Sequence, residues 1–254
     1  MNGTQKLAGG LVAALIVVAA AVWLLVLNRD NPDEVSLDDA QAAASADDPD
    51  TSGDEPGGSD GDTTDAGSIE GAWSVDTSIG EFDFESASGS FAGFRVNEVL
   101  TVGEVEAVGR TGAVNGSFTV AGNTVDGVQI EADLAQLTTN DTRRNKAVGR
   151  ALDVAQFPTA TFVLTEPIEL PTDAEAGVAV SAVARGEMTI HGTTLPVEFP
   201  IEASFNEGVV AMIGSTPVTF ADYGIDLPSA PIVVSISPEG TIEFQLLFTK
   251  GPPG

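Results

Sequence analysis

The chain has 254 residues, with 38 aspartates and glutamates against 10 lysines and arginines and a formal charge of -28. That imbalance repels phosphate backbones and anionic lipid surfaces, so nucleic acid is set aside as a partner. The lack of any cysteine removes disulfides, thiolate nucleophiles and cysteine-bound metals from consideration.

In chain order, the first element is the stretch 7–27, apolar or small throughout, with Lys6 before it and Arg29 after it. At about 1.5 Å per residue it reaches about 31 Å, the thickness of a bilayer's hydrocarbon core. Residues 1–29 therefore read as an N-terminal transmembrane anchor. A cleavable signal peptide is the other reading, because Ala19, Ala20 and Ala21 offer small residues for a cut. Cleavage there would leave Val22-Trp-Leu-Leu-Val-Leu27 as an exposed apolar terminus, which favours the uncleaved anchor. With Lys6 held on the cytoplasmic side, everything after Arg29 is expected outside. The expected location is the cell membrane, single-pass, with the C-terminal domain extracytoplasmic.

Residues 30–70 carry no lysine or arginine, are rich in Asp, Glu, Ser, Gly, Pro and Ala, and show no sustained apolar period. Such a segment buries too little surface to offset its ordering entropy and is expected to be a disordered acidic linker. About 40 flexible residues would let the domain float roughly 35 Å from the membrane.

From Gly71 to Lys250 the pattern changes to short runs of alternating polarity separated by Gly, Asn, Asp and Pro. Strands are predicted at 73–77, 117–120, 124–134, 161–164, 178–191, 194–205, 209–218, 232–236 and 241–249. The clearest pair is Gly186-Glu-Met-Thr-Ile-His-Gly-Thr-Thr-Leu-Pro-Val-Glu-Phe199. There Met188 and Ile190 share one face, Leu195, Val197, Phe199 and Ile201 share another, and Gly192 supplies the turn. Ala121-Gly-Asn-Thr124 and Asn206-Glu-Gly208 also read as hairpin loops. Only 140–155 suggests a short helical segment. The fold class is all-β, an antiparallel eight-stranded barrel over 71–250, because closure removes exposed strand edges. Residues 251–254 form a tail.

The faces assigned inward carry Val128, Ile130, Phe162, Ile190, Val197, Phe199, Ile242, Phe244, Leu246 and Phe248. A barrel of this size either packs its interior solid or holds one small apolar ligand, and periodicity does not separate the two.

Five stretches in order, Trp73-Ser-Val-Asp76, Thr138-Thr-Asn-Asp-Thr-Arg-Arg-Asn145, Gln156-Phe-Pro-Thr-Ala-Thr-Phe162, Gly186-Glu-Met-Thr-Ile-His-Gly192 and Phe220-Ala-Asp-Tyr-Gly-Ile225, resemble the YceI-like, polyisoprenoid-binding, lipocalin-like family. The resemblance implies a barrel holding an isoprenoid, quinone-like or other lipid-like chain in an apolar tunnel, with no further cofactor. Two positions depart from the family pattern. Asn145 stands where aspartate is usual, and Phe220 and Ala221 replace a basic residue.

Candidate chemistry is sparse. Arg143, Arg144, Lys146 and Arg150 crowd into one segment of an acidic domain. Arg143 and Arg144 could hold a ligand's phosphate or quinone oxygen at a tunnel mouth, or pair with nearby carboxylates. His191, the only histidine, has no second histidine to complete a metal site and reads as a turn residue. Tyr223, the only tyrosine, lies beside Asp222, and a packed aromatic is its ordinary explanation. No nucleophile elbow or phosphate-binding glycine loop is present, so no catalytic residue is assigned and a binding module is expected. The partners expected are a lipid-like small molecule and, through the N-terminal helix, the membrane. A homodimer is left open.

Overall fold

A computed structural model describes residues 31–45, 68–86, 88–171 and 178–251. Among these, thirteen strands form one sheet, paired antiparallel throughout. In chain order they are β1 (Gly71–Val75), β2 (Phe91–Leu100), β3 (Gly103–Thr111), β4 (Val114–Ala121), β5 (Thr124–Asp133), β6 (Thr138–Thr139) and β7 (Thr159–Leu164), followed by β8 (Ile168–Glu169), β9 (Val180–Ile190), β10 (Thr193–Asn206), β11 (Val209–Thr219), β12 (Val233–Ile236) and β13 (Glu239–Lys250). Eight of them close a ring in the order β1, β4, β5, β7, β9, β10, β11, β13 and back to β1.

The ring closes at one end only. One edge of β13 pairs with β11 from Glu239 to Thr249. Its other edge is divided, with Thr241 to Gln245 against β2 and Phe248 to Lys250 against β1. The β2–β3 hairpin thus leaves the ring, with β12 on one side and β6 on the other. At the closed end Trp73 lies 6.0 Å from Phe118 and 5.5 Å from Phe205, and Phe118 lies 4.9 Å from Phe248, centroid to centroid. These rings make a packed aromatic floor.

Local chemistry fixes the turns. His191 (φ 52°) and Gly192 (φ 74°) join β9 to β10, and Glu207 (φ 50°) and Gly208 (φ 84°) join β10 to β11. Two successive positive φ values give the turn whose twist matches the flanking strands. A side chain at Gly192 would also meet the Phe157 ring at 2.5 Å.

Three expectations need correction. The sequence pattern does not reveal strands β2 and β3, because burial on both faces hides their period: outward Phe91 and Arg95 are as buried as inward Val96. Two α-helices are described where one helical segment was expected, α1 (Leu37–Ser45) and α2 (Thr142–Ala151). Residues 31–45 are therefore not part of a disordered linker. Ser36 caps α1 by accepting from the Asp39 N–H at 3.4 Å, and Leu37, Ala40 and Ala43 bury a stripe against Ala211, Ile213 and Leu247 on the barrel's outer wall. Among the described residues no helix is long and apolar enough to cross a membrane. The predicted anchor at 7–27 and most of the predicted linker, 46–67, lie outside the described residues.

Where β13 meets β2, the outer wall holds a buried ion cluster. Glu243 Oε2 accepts from Arg95 Nε at 2.7 Å, and Glu243 Oε1 accepts from Arg110 Nη2 at 2.8 Å. Arg95 also reaches Glu106 at 2.9 Å. Arg110 crosses Gly93, where a Cβ would come 2.9 Å from its Cγ, and stands 4.3 Å from the Phe91 ring centroid. The chain before α1 covers the cluster: the Pro32 carbonyl accepts from Arg95 at 2.7 Å and the Asp33 carbonyl from Arg110 at 2.7 Å. Burial pulls both guanidinium pKa values down. At Arg95 the bonds and charges of Glu243 and Glu106 outweigh burial and the net shift is upward, whereas at Arg110 burial prevails over Glu243. Both groups stay charged at physiological pH.

Glu243→Ala leaves two buried arginines without their shared carboxylate and should cost about 3–5 kcal/mol in urea unfolding. Arg185→Ala removes only exposed pairs, with Glu198 at 3.0 Å and Glu166 at 3.9 Å, and should cost about 1 kcal/mol or less.

Candidate ligand-binding site

Inward side chains of the ring do not meet at its axis along the whole length. Above the aromatic floor an inner chamber of about 140 Å³ is walled by Val125, Val128 and Ile130 of β5, Phe162 of β7, Phe199 and Ile201 of β10, Met212 of β11 and Phe244 and Leu246 of β13. Phe199 stands edge-on to both Phe162 and Phe244 at 5.6 Å, which keeps these rings against the wall and narrows the bore.

A second, outer chamber of about 690 Å³ lies where β2 and β3 splay from the ring. Its walls include Phe94, Val96 and Leu100 of β2, Ala147, Val148 and Ala151 of α2, and Tyr223, Ile225 and Leu227 of the segment before β12. Ala92, Ala132, Ala160, Met188 and Ile242 belong to both walls, so the chambers abut at a waist formed largely by small residues. The outer chamber alone falls within the roughly 300–1,000 Å³ typical of ligand pockets.

Polarity is concentrated at the outer rim, where Asn31, Glu98, Asn140, Arg143, Arg144 and Tyr223 contribute. Asp141 caps α2 by accepting from the Arg143 N–H at 2.8 Å, and the Asn145 side-chain oxygen accepts from Thr139 N at 2.8 Å and Thr139 Oγ1 at 2.6 Å. Only an acceptor is needed there, and the Asn145 amide oxygen supplies it. Arg144 donates to Glu98 at 3.0 Å and to the Asn140 side chain. Burial, then the Asp222 carboxylate, pushes the Tyr223 phenol up, so it stays neutral against the cavity wall at physiological pH.

The structure distributes the ten interior residues expected from sequence. Val128, Ile130, Phe162, Phe199, Ile242, Phe244 and Leu246 line the inner chamber, with Ile242 also reaching the outer one. Ile190 lines the outer chamber only. Val197 packs against the core without lining either space, and Phe248 is spent in the aromatic floor. Arg143 and Arg144 both reach the rim. Sequence reasoning missed the walls built by β2, β3 and Asn31. His191 is held at its turn by the Phe157 ring at 5.0 Å and the Tyr223 carbonyl 3.2 Å from Nδ1. Among the described residues no cluster of His, Asp and Glu is arranged to hold a metal.

The YceI-like domain family model matches residues 73–248. Among solved structures, the polyisoprenoid-binding domain from Saccharophagus degradans implicated in plant cell wall breakdown superposes with a TM-score of 0.52 at 16% identity, covering 72% of this chain and 100% of that one. BcnA of Burkholderia cenocepacia is similar at a TM-score of 0.49 and 19% identity, over 62% of this chain and 95% of that one. The YceI protein of Campylobacter jejuni follows at 0.47 and 10%, over 57% and 85%. At these identities the likeness is one of fold. Comparison with curated proteins gives no match.

The two rim arginines should separate in stability. Arg144→Ala strands the buried Glu98 carboxylate and should cost about 1–3 kcal/mol. Arg143→Ala should stay within about 0.5 kcal/mol. Thermal melts of the two variants check the difference.

Proposed function

The chain belongs to the YceI-like domain family, and from that premise we propose that its barrel binds an isoprenoid or other lipid-like chain, tail in the inner chamber and head at the rim. The observation that carries this reading is the pair of abutting chambers, apolar along the bore and polar only at the mouth. The inner space compares with the roughly 150 Å³ apolar cavity that stays dry and takes a benzene-sized guest. It therefore suits the end of a slender branched chain, with the bulk of the ligand in the outer chamber. The polyisoprenoid-binding character of the Saccharophagus degradans domain points the same way.

Affinity would come from burial at about 0.8 kcal/mol per methylene, less the cost of ordering the chain. Arg144 is already engaged by Glu98 and Asn140. Arg143 is the rim cation better placed to take a phosphate or quinone oxygen through two parallel N–H donors. The role is sequestration or transport, not turnover. A span at residues 7–27 would keep the barrel on the outer side of the cell membrane.

The test is organic extraction of full-length protein purified from its native membrane, with the released lipid identified by mass spectrometry. About one isoprenoid or quinone-like molecule per chain is expected. Ala160→Phe, which fills the waist, should lower recovered lipid at least about tenfold, equivalent to about 1.4 kcal/mol of lost affinity, while circular dichroism stays unchanged. An empty extract, with no retention of added quinone or polyprenyl chains, would sink the reading. Turnover of lipid esters that disappears in His191→Ala would replace it with an enzyme.

A further inference from the structure

The rim of the outer chamber is also where the chain arrives. Asn31, the first residue of the described structure, lines that chamber, donates to the Glu106 carbonyl at 3.0 Å and accepts from the Asn140 side chain at 2.8 Å. Residues 7–27 are apolar or small throughout, and only three residues separate that run from Asn31. Four Cα–Cα steps span at most about 14 Å. A bilayer crossed by that run would lie within this reach of the mouth, well short of the roughly 35 Å that a slack linker would allow.

A second observation points to the same end of the molecule. Of the eight exposed large apolar side chains among the described residues, five are Val99, Val102, Leu227, Ile232 and Val234. Four of them sit on adjoining segments, since Val99 pairs with Ser235, Leu100 with Val233, and the Thr101 N–H donates to the Ile232 carbonyl at 2.8 Å, while Leu227 lines the same chamber as Leu100 and Ile232. Ile232 and Val234 are 54% and 64% exposed, and Ile232 lines the cavity together with Val233. Burying such a fringe in the acyl and headgroup boundary is favourable, whereas leaving it in water is not. Charge at this end is mixed, because exposed Arg143 of α2 lines the chamber together with the carboxylates of Glu104 and Asp141, so the short reach from residue 27 and the apolar fringe carry the orientation.

We propose that the barrel sits mouth-down on the bilayer, its apolar fringe of Val99, Val102, Leu227, Ile232 and Val234 immersed in the interface, so that the outer chamber opens directly onto the lipid phase. The occupant of this surface is the membrane itself. The proposal rests on the lipid-binding reading and on residues 7–27 acting as a span, and it adds the route: ligand enters from the bilayer without crossing water.

The chain has no cysteine, so single probes report cleanly. Full-length Val234→Cys, with Val102→Cys as a second rim site, is labelled with bimane and reconstituted into phosphatidylcholine vesicles carrying brominated acyl chains. Asn123→Cys, on the exposed turn between β4 and β5 at the far end, is the control. The expected result is loss of most rim emission and none from Asn123. Rim probes as bright as the control would overturn the proposal even if the same preparation yields bound lipid, which would leave the binding reading intact. Rim probes shielded from aqueous iodide but untouched by bromolipid would mean a second copy covers the fringe, and would also overturn it. Quenching at the rim with an empty lipid extract would uphold the orientation and remove the binding reading.

Discussion

The architecture turns on one divided edge. Strand β13 has a single partner, β11, along one side but two along the other, β1 near its end and β2 near its start. Backbone donors and acceptors must all be paired, so a strand whose edge is shared this way forces the sheet to part between its two partners. Below the parting the ring is tight enough for Trp73, Phe118, Phe205 and Phe248 to fill it. Above it β2 and β3 swing outward, and the space they vacate is the outer chamber. Floor, bore and mouth are consequences of that single fork.

The fork needs bracing from outside, and the Arg95, Glu243 and Arg110 cluster lies across it. Burying ions is costly, and an apolar filling of the same volume often serves stability as well. What the ions add is direction. Glu243 on β13 meets an arginine from each strand of the departing hairpin, and the carbonyls of Pro32 and Asp33 dock on the same two guanidinium groups. The same charges therefore hold the splayed hairpin and place the chain that leads into α1.

Legibility in the sequence followed burial. Strands with one wet face, such as β5, β9 and β10, show their period of two plainly, and β13 shows it too because polar Glu243 and Gln245 alternate with its inward residues although both are buried. The residues facing the bore could be picked out from that period. The hairpin of β2 and β3 could not, because Phe91 and Arg95 on its outer face are as hidden as the residues facing the cavity. With it went the walls of the outer chamber and the ion cluster. Its trace was nevertheless present as charged residues inside apolar runs beside glycines, Gly93 giving Arg110 room to cross. Residues 31–45 were obscured by acidic composition, although Ser36 followed by Asp38 and Asp39 ahead of a Leu37, Ala40, Ala43 stripe is a helix start with its dipole complemented. Small side chains carry little hydropathy, yet Ala40 is completely buried.

The docked segment also has a mechanical meaning. Any pull between the barrel and whatever holds the chain upstream enters at Asn31 and meets that residue's bonds to Glu106 and Asn140, the Pro32 and Asp33 carbonyl contacts and one short helix before it reaches a strand of the ring. Those contacts peel one after another, whereas the long antiparallel pairs of the ring share load in parallel. If α1 gave way, its release with the residues before it would pay out fifteen residues of slack, up to about 50 Å of extended chain, leaving the barrel and its contents whole. The segment is therefore the part of the described structure that such a pull would detach first.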